Sequence, residues 1–419
     1  MTTFSLQSLV GELGWKEALS VGLGYLALQH VLRWKRYNDI HRKFGDKIDR
    51  LTVQDAQEIA ALSTQYDMPT AVGTGVAVGF LKTHAIPSIS ELLVNTGQLS
   101  QLDAIAKRHV DTGIMIETWT SCPLSKISPS EKPQDLSSLD PRAYLAIARV
   151  NWLHRKYKIS NDDFLYTLSM FVIGPIRGAE AWGWRTLSPL ECQAIFVLWC
   201  EVGRLMNIKD IPDTLEELIT WAEAYEERYM VPAITNHQLI VPLMEVVTSP
   251  MTTLFGWRKL WYRIFICLQP DRLRVALMLP EQPRLLTSFA NGTIRCIAFY
   301  LRYLALPLVW PRRTIPEVFK PNSSDGSLPR MRPKAFNPKP WYKPEPQGLA
   351  RLVENVKVAI GLQNAEDVPG PKFRSQGYRL EELGPIRYED YGHDEVIREA
   401  GEMLGCPLSG HWARKNSGS

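Results

Sequence analysis

The sequence predicts an all-α protein built around one large helical body. Between Val53 and Leu306, apolar residues recur at spacings of three and four, which is the period of an amphipathic helix. The alternation of apolar and polar residues that marks a half-buried strand is scarce in the same stretch. Asp140-Pro141 supplies a capping residue and a first-turn proline, as many helices have at their start. Many helical segments without detectable strands favour an all-α fold.

The first element is an apolar helix near the N-terminus. The run from Ala18 to Leu32 contains no Asp, Glu, Lys or Arg, and Trp15 and Trp34 bracket it, as interfacial aromatics bracket a membrane span. The run is short for a bilayer, which needs about 20 apolar residues. Lys16 and Arg33 can extend it by snorkelling. We predict an uncleaved membrane anchor, with a buried core helix or a cleaved signal peptide as the alternatives.

The charges on either side of this run predict its orientation. Seven basic residues lie between Arg33 and Arg50, whereas Lys16 is the single basic residue in the upstream flank. Because positively charged flanks stay on the cytosolic side, the body of the protein is expected in the cytosol. The anchor is therefore predicted to cross the membrane once.

Seven helices are predicted in the body that follows. They cover about Gln101–Trp119, Asp140–Lys158, Asp162–Val172, Pro189–Met206, Thr214–Tyr229, Leu254–Cys267 and Pro283–Leu304.

The composition then changes. Ten prolines in the forty residues from Pro307 to Pro346 indicate an extended arm, because proline removes helical hydrogen bonds. A short amphipathic helix is predicted at about Gly348–Leu362, before a polar tail. The chain thus divides into an anchor with its basic flank (1–50), a helical domain (51–306), and a Pro-rich arm with a C-terminal tail (307–419).

Composition and motifs exclude several classes of function. A net charge of +4 over 419 residues is too small to indicate a nucleic-acid binder. Six cysteines without a CxxC pair argue against a zinc ribbon and a disulfide scaffold. Gly73, Gly75 and Gly79 miss the dinucleotide-binding spacing by one residue, and no strand precedes them. Neither a Walker A motif nor the GxSxG or HExxH motif of hydrolases is present.

Two of the predicted helices place polar groups on apolar faces. His154 shares a face with Ala143, Ile147 and Val150, at helical spacings of four and three. A histidine in such a stripe is either a metal ligand or a core residue that is hydrogen-bonded to a backbone carbonyl. A site in which one axial histidine holds a larger cofactor stays open.

Arg108 and Thr112 lie one turn apart on the face of the preceding helix. Ile105, Met115 and Trp119 share that face. A guanidinium in this position must find an acid, a propionate or another acceptor, because an unpaired buried charge is costly. The alternative is an arginine that reaches the edge of the helix or pairs with an internal glutamate.

Several aromatic-rich stretches follow these helices. They are typical of core packing, and the alternative is a pocket for a flat cofactor or a prenyl-like chain. The residues concerned are Met170, Phe171, Trp182, Trp184, Phe196 and Trp199.

A family resemblance rests on these same regions of the chain. The sequence resembles the fungal mpaB-type oxygenases, which are bound to the endoplasmic reticulum (ER) and share a catalytic domain with the bacterial latex-clearing proteins, or rubber oxygenases. The matching residues are Arg108-x-x-x-Thr112, Ala148–Tyr157 (ARVNWLHRKY), Asn161–Leu168 (NDDFLYTL), Trp184–Ser188 (WRTLS), Glu191 and Trp199–Gly203.

The resemblance implies a globin-like helical catalytic domain and, from the latex-clearing branch, a b-type haem. His154 would then be the proximal iron ligand, and Arg108 and Thr112 would belong to the haem pocket. Latex-clearing members carry a lysine directly before the threonine, where this chain has Asp111. The same resemblance implies oxidative cleavage of a carbon–carbon double bond by O₂.

The implied substrate is a hydrophobic, prenylated small molecule, for fungal members typically an aromatic secondary metabolite, and the implied location is the ER membrane. Two alternatives remain at this stage. One is another oxidation or rearrangement of a polyketide or terpenoid intermediate on the same fold. The other is a non-enzymatic helical scaffold anchored at the ER.

Overall fold

The computed structural model confirms the all-α prediction. It describes residues 15–97, 102–124, 140–248, 256–316, 330–335, 339–360, 363, 365–408 and 412. Within these ranges no β-strand is present, and one isolated bridge joins Met331 to Tyr378.

Fifteen α-helices lie in the described part of the chain. Their bounds are α1 Trp15–Phe44, α2 Val53–Ala61, α3 Pro69–His84, α4 Pro87–Asn95, α5 Leu102–Ser121, α6 Arg142–His154, α7 Asn161–Trp182, α8 Pro189–Leu205, α9 Leu215–Tyr229, α10 Ile234–Thr248, α11 Trp257–Cys267, α12 Asp271–Ala276, α13 Arg284–Tyr303, α14 Leu349–Ala359 and α15 His393–Leu404.

Short-range sequence signals fix the starts of the helices that matter for the site. Ser160 caps α7 through the backbone amide of Asp163, and Ser188 forms a reciprocal capping box with Glu191 at the start of α8. Helix α6 begins at Arg142, two residues after the predicted cap. Asp140 instead accepts hydrogen bonds from the Arg142 backbone amide at 3.2 Å and from its guanidinium at 2.8 Å.

The crossing of α3 and α7 explains the glycines that miss a dinucleotide-binding motif. Gly75 on α3 lies against Gly174 and Gly178 on α7. A Cβ atom at Gly75 would overlap the carbonyl oxygen of Gly174 and lie 2.7 Å from the Cα of Gly178. Glycine at these positions therefore lets two backbones approach more closely than side chains allow.

Substitution of Gly75 by alanine is expected to destabilise the protein by about 3 kcal/mol. The added methyl group meets backbone atoms of α7, which cannot yield as a side chain would. Gly73→Ala is the matched control, because nothing lies within 4 Å of its would-be Cβ, and alanine there stabilises a helix by roughly 0.5–1 kcal/mol. Urea unfolding measures the free energy of unfolding of both variants. Equal changes in the two variants would contradict the close crossing of α3 and α7.

The C-terminal tail packs into the same hydrophobic core as the preceding helices. Helix α15 contacts α6, which carries His154. The predicted boundary at 306/307 stays a prediction, but the chain beyond it is a structural part of the body. Its buried core residues include Ile315, Met331, Trp341, Tyr342, Phe373, Tyr378, Leu380, Leu383, Val396, Ala400 and Leu404.

Helix α1 contains the predicted anchor. Among the residues that the structure describes, none of the helices has both the length and the apolarity that a membrane crossing requires. The second half of α1 packs on the body, where Gln29 and Arg33 are buried. The spanning anchor and its orientation stay predictions.

Candidate active site

The helices α3 to α8 surround an apolar cavity. It contains about 1480 Å³ of empty space, including the part of its mouth that is open to solvent. Phe171 stacks on Trp199 at a centroid distance of 4.6 Å, and Trp119 meets Trp199 edge-on at 6.1 Å. Other wall residues are Phe80, Ile89, Leu92, Met115, Val150, Phe164 and Val202. The walls are therefore suited to a flat or chain-like apolar ligand.

The structure brings all three sequence-predicted site residues to this cavity. Arg108 and Thr112 enter from α5, and His154 enters from the last turn of α6. The predicted aromatic stretches contribute only in part, since Phe171 and Trp199 line the cavity. Phe196 is buried in the core, and Trp184 donates to the Asp67 carbonyl.

His154 presents an imidazole that the protein leaves unsatisfied. Its Nδ1 atom is buried and has no hydrogen-bond partner among the described residues, and its ring lies 5.3 Å from that of Phe164. Burial first, and then the positive charge of Arg108, lower the pKa of His154 to about 4. The ring is therefore neutral at pH 7, which is the form that binds a metal. The alternative of a core histidine bonded through Nδ1 to a backbone carbonyl does not hold.

Arg108 is a cation in an apolar cavity without an ion pair in the described part of the chain. Burial lowers its pKa, and the nearby Tyr157 and Asp111 only partly oppose this. Asp111 does not form an ion pair with Arg108, because its carboxylate is engaged elsewhere. An unpaired guanidinium beside a neutral imidazole has the chemistry to bind an anionic or strongly polar ligand atom.

A polar cluster next to Arg108 on α5 was not predicted from the sequence. Asp111 accepts hydrogen bonds from Lys107 Nζ at 2.7 Å, from the Tyr342 hydroxyl at 2.6 Å and from the Gly384 amide at 2.9 Å. Lys107 also lies 3.0 Å from Glu389. Burial, and then the charge of Asp111, raise the pKa of Tyr342 well above its usual value. The tail segment that this cluster binds forms part of the cavity wall, since Gly384 and the following proline line it.

Arg149 holds the same part of the tail from α6. Its fully buried guanidinium donates to the backbone carbonyls of Leu383, Tyr388 and Tyr391, each at 2.7 Å. Apart from the spacing of four between Lys107 and Asp111, no local pattern indicates these contacts, because their partners in the tail lie more than 230 residues away.

A second buried imidazole, His84 on α3, lies near Arg108. Its Nδ1 donates to the Phe80 carbonyl at 2.9 Å, so this ring has an internal partner. Burial lowers its pKa to about 4, and the charge of Arg108 contributes in the same direction. His84 is the satisfied counterpart of His154.

An all-helical body whose apolar cavity is lined by a neutral imidazole and an unpaired guanidinium has the features of a helical protein that acts on a small molecule. The family model of the ER-bound oxygenase mpaB/B'/rubber oxygenase catalytic domain matches residues 64–298. The match includes α3 to α12, and hence Arg108, Thr112 and His154. The chain belongs to this family, and it is an oxidoreductase that uses O₂ on a small molecule.

Curated relatives support this assignment. The chain is 28% identical over 402 residues to the ER-bound oxygenase mpaB' of Penicillium brevicompactum, covering 89% of this chain and 88% of the relative. It is 30% identical over 323 residues to the ER-bound oxygenase mpaB of the same organism, and this match covers 69% of this chain and 77% of the relative. The match to the ER-bound oxygenase mpaB of Penicillium roqueforti (strain FM164) has 30% identity and covers 63% of this chain and 90% of the relative. These relatives support association with the ER.

Removal of the Tyr342 hydroxyl is expected to destabilise the protein by about 2 kcal/mol. Tyr342→Phe leaves the buried carboxylate of Asp111 without one of its hydrogen bonds, and bonds to charged groups contribute about 1.5–3 kcal/mol. Tyr391→Phe is the control, because its side chain is exposed and only its backbone carbonyl is used. Urea unfolding of both variants compares them. If Tyr342→Phe matched its control, the cluster would not hold the tail.

Proposed function

We propose that this protein is an ER-associated, haem-dependent oxygenase that cleaves a carbon–carbon double bond in the prenyl chain of a hydrophobic metabolite. The observation that carries the proposal is the unsatisfied His154 imidazole beside the unpaired Arg108 in one apolar cavity. Membership of the oxygenase family supplies the reaction class.

The residues of the cavity fit a b-type haem. His154 Nδ1 is a buried polar atom without a partner, and its neutral ring can donate a lone pair to iron. No group of three potential metal-ligating side chains occurs within the described residues, so His154 alone suits a cofactor that brings its remaining donors with it. Arg108 can pair with a propionate, and the rings of Phe171 and Trp199 provide flat apolar walls. The haem, when bound, supplies the iron at which O₂ is activated.

Arg108 and Thr112 account for the polar part of the chemistry. Both lie on the cavity side of α5, and in the described part of the structure neither side chain has a hydrogen-bond partner. Arg108 stays charged in this apolar site, where it would either pair with a propionate or stabilise negative charge that develops on oxygen. Thr112 can donate a hydrogen bond from its hydroxyl group to a polar atom of the bound ligand. At the position where latex-clearing proteins carry a lysine, this chain has Asp111, which binds the tail.

The apolar walls select the substrate. They exclude water and bind an isoprenoid chain, which contains no hydrogen-bonding groups. Cleavage consumes one O₂ molecule. The σ and π bonds of the double bond are both broken, and each of its two carbons becomes a carbonyl carbon with one oxygen atom from O₂. No external reductant is needed for this balance.

Another oxidation of a terpenoid or polyketide on the same fold remains the second candidate, because the cavity places the same residues around any apolar substrate. The alternative of a non-enzymatic scaffold is no longer a candidate, because the family consists of oxygenases.

Loss of the imidazole at position 154 is expected to abolish haem binding while the fold is kept. Full-length protein, expressed with a haem precursor and purified in detergent, should show a Soret band that shifts on reduction with dithionite. His154→Ala should lose most of that band at an unchanged helical circular dichroism signal. The reason is that no second unsatisfied imidazole is known to face the cavity within the described residues.

The matched control is His84→Gln. It removes a second buried neutral imidazole near Arg108 whose Nδ1 already has a protein partner, so the Soret band should persist. A folded wild-type protein without a Soret band would refute the haem proposal. Equal loss in both variants would refute the assignment of His154.

A further inference from the structure

Three helices expose apolar side chains on adjoining surfaces of the body. Helix α13 contacts both α1 and α11. Its 20 residues bury only Ala290, whereas Leu285 is 86% exposed and Phe289 is 65% exposed. The chain that follows α13 exposes Trp310 to 81%. Soluble surfaces rarely leave so many large apolar side chains uncovered on neighbouring elements.

Helix α1 is fixed against the end of α13 by hydrogen bonds to backbone carbonyls. Tyr25 donates to Leu304, Gln29 donates to Ala305, and Arg33 donates to Ala305 at 2.6 Å. These polar side chains of α1 are therefore turned towards the protein. Leu19, Val21, Leu28 and Val31 on the same helix remain exposed. The apolar residues of the predicted anchor thus adjoin those of α13.

Basic residues predominate on this surface. The segments 18–38, 257–267 and 284–313 contain eleven Lys and Arg residues and no Asp or Glu, in a chain whose net charge is only +4, and the adjacent Asp39 pairs with Lys35. The strongly exposed basic residues include Lys35, Lys259, Arg263, Arg284, Arg295 and Arg312. An apolar face with basic residues along it is complementary to an anionic lipid surface.

We propose that α1, α11 and α13 form a membrane-docking face that lies in the headgroup region of an anionic bilayer. The apolar side chains of α1 and α13 enter the acyl boundary, and the arginine and lysine side chains reach lipid phosphates. Trp257, Trp261 and Trp310 occupy the interface, where tryptophan is favoured. This face contributes to the association with the ER membrane, and it is independent of the cofactor.

Flotation of purified full-length protein with protein-free vesicles tests this face. Vesicles of phosphatidylcholine with phosphatidylserine should bind the protein more tightly than phosphatidylcholine alone, by about fivefold for each basic residue that contacts lipid. The double variant Phe289→Glu/Trp310→Glu should reduce binding at least tenfold, since it places carboxylates in the apolar contact. Both residues are exposed, so the thermal melting curve should stay unchanged.

Tyr391→Glu is the matched control, because Tyr391 is an exposed aromatic residue outside these three helices. It should bind vesicles as the wild type does. If the double variant floated like the wild type, α1 alone would hold the protein and the docking face would be wrong. It would also be wrong if the wild type failed to float and instead formed dimers that the double variant dissociates in sedimentation experiments.

Discussion

The buried ion pair between Lys107 and Asp111 joins the cavity to the rest of the chain. Helix α5 carries two pairs of polar residues, Lys107 with Asp111 and Arg108 with Thr112. The members of each pair lie one helical turn apart, and the second pair is shifted by one residue along the chain. Lys107 and Asp111 bind Tyr342 and Gly384 of the tail, and Asp111 also lines the cavity. Arg108 and Thr112 line the cavity as well. Helix α5 thus positions Arg108 and Thr112 and also holds the tail segment that forms part of the cavity wall, so this part of the site and the tail depend on the same turns of backbone.

The contrast between satisfied and unsatisfied buried groups identifies the site. Elsewhere in the described structure, buried cations have close partners: Arg185 pairs with Asp67 and Glu191, each at 2.7 Å, and Arg149 donates to three carbonyls. Burial of unpaired polar groups is costly, so most proteins avoid it. His154, whose Nδ1 is one of the buried polar atoms without a partner, and the half-buried Arg108, which has no ion pair in the described structure, line the same cavity. The free-energy cost of burying them is offset when a ligand supplies the missing partners. We therefore interpret the cavity as a binding site and not as a packing defect.

Local patterns in the sequence predicted the helices that carry the site residues better than they predicted the C-terminal tail that packs against them. The stripes that carry Arg108 and His154 follow the helical period, so both residues were correctly placed on helices that line a common space. The chain after Leu306 was predicted as a Pro-rich arm and a polar tail from its density of prolines. Its buried residues, such as Trp341 and Tyr378, are isolated apolar residues without a period. Their burial depends on contacts across more than 200 residues, which no local pattern encodes. The short helix α15 was also missed, although Val396, Ala400 and Leu404 recur at the helical spacing of four.

Isotope labelling of the products tests the central claim that this cavity supports cleavage of a double bond by both atoms of O₂. The full-length protein would be incubated under ¹⁸O₂ with a prenylated aromatic compound, and the carbonyl products would be reduced with borohydride as they form to prevent exchange with water. The account predicts two fragments from each substrate molecule, each with one ¹⁸O atom by mass spectrometry. An uncleaved hydroxylated product, or fragments in which one oxygen comes from water, would contradict it.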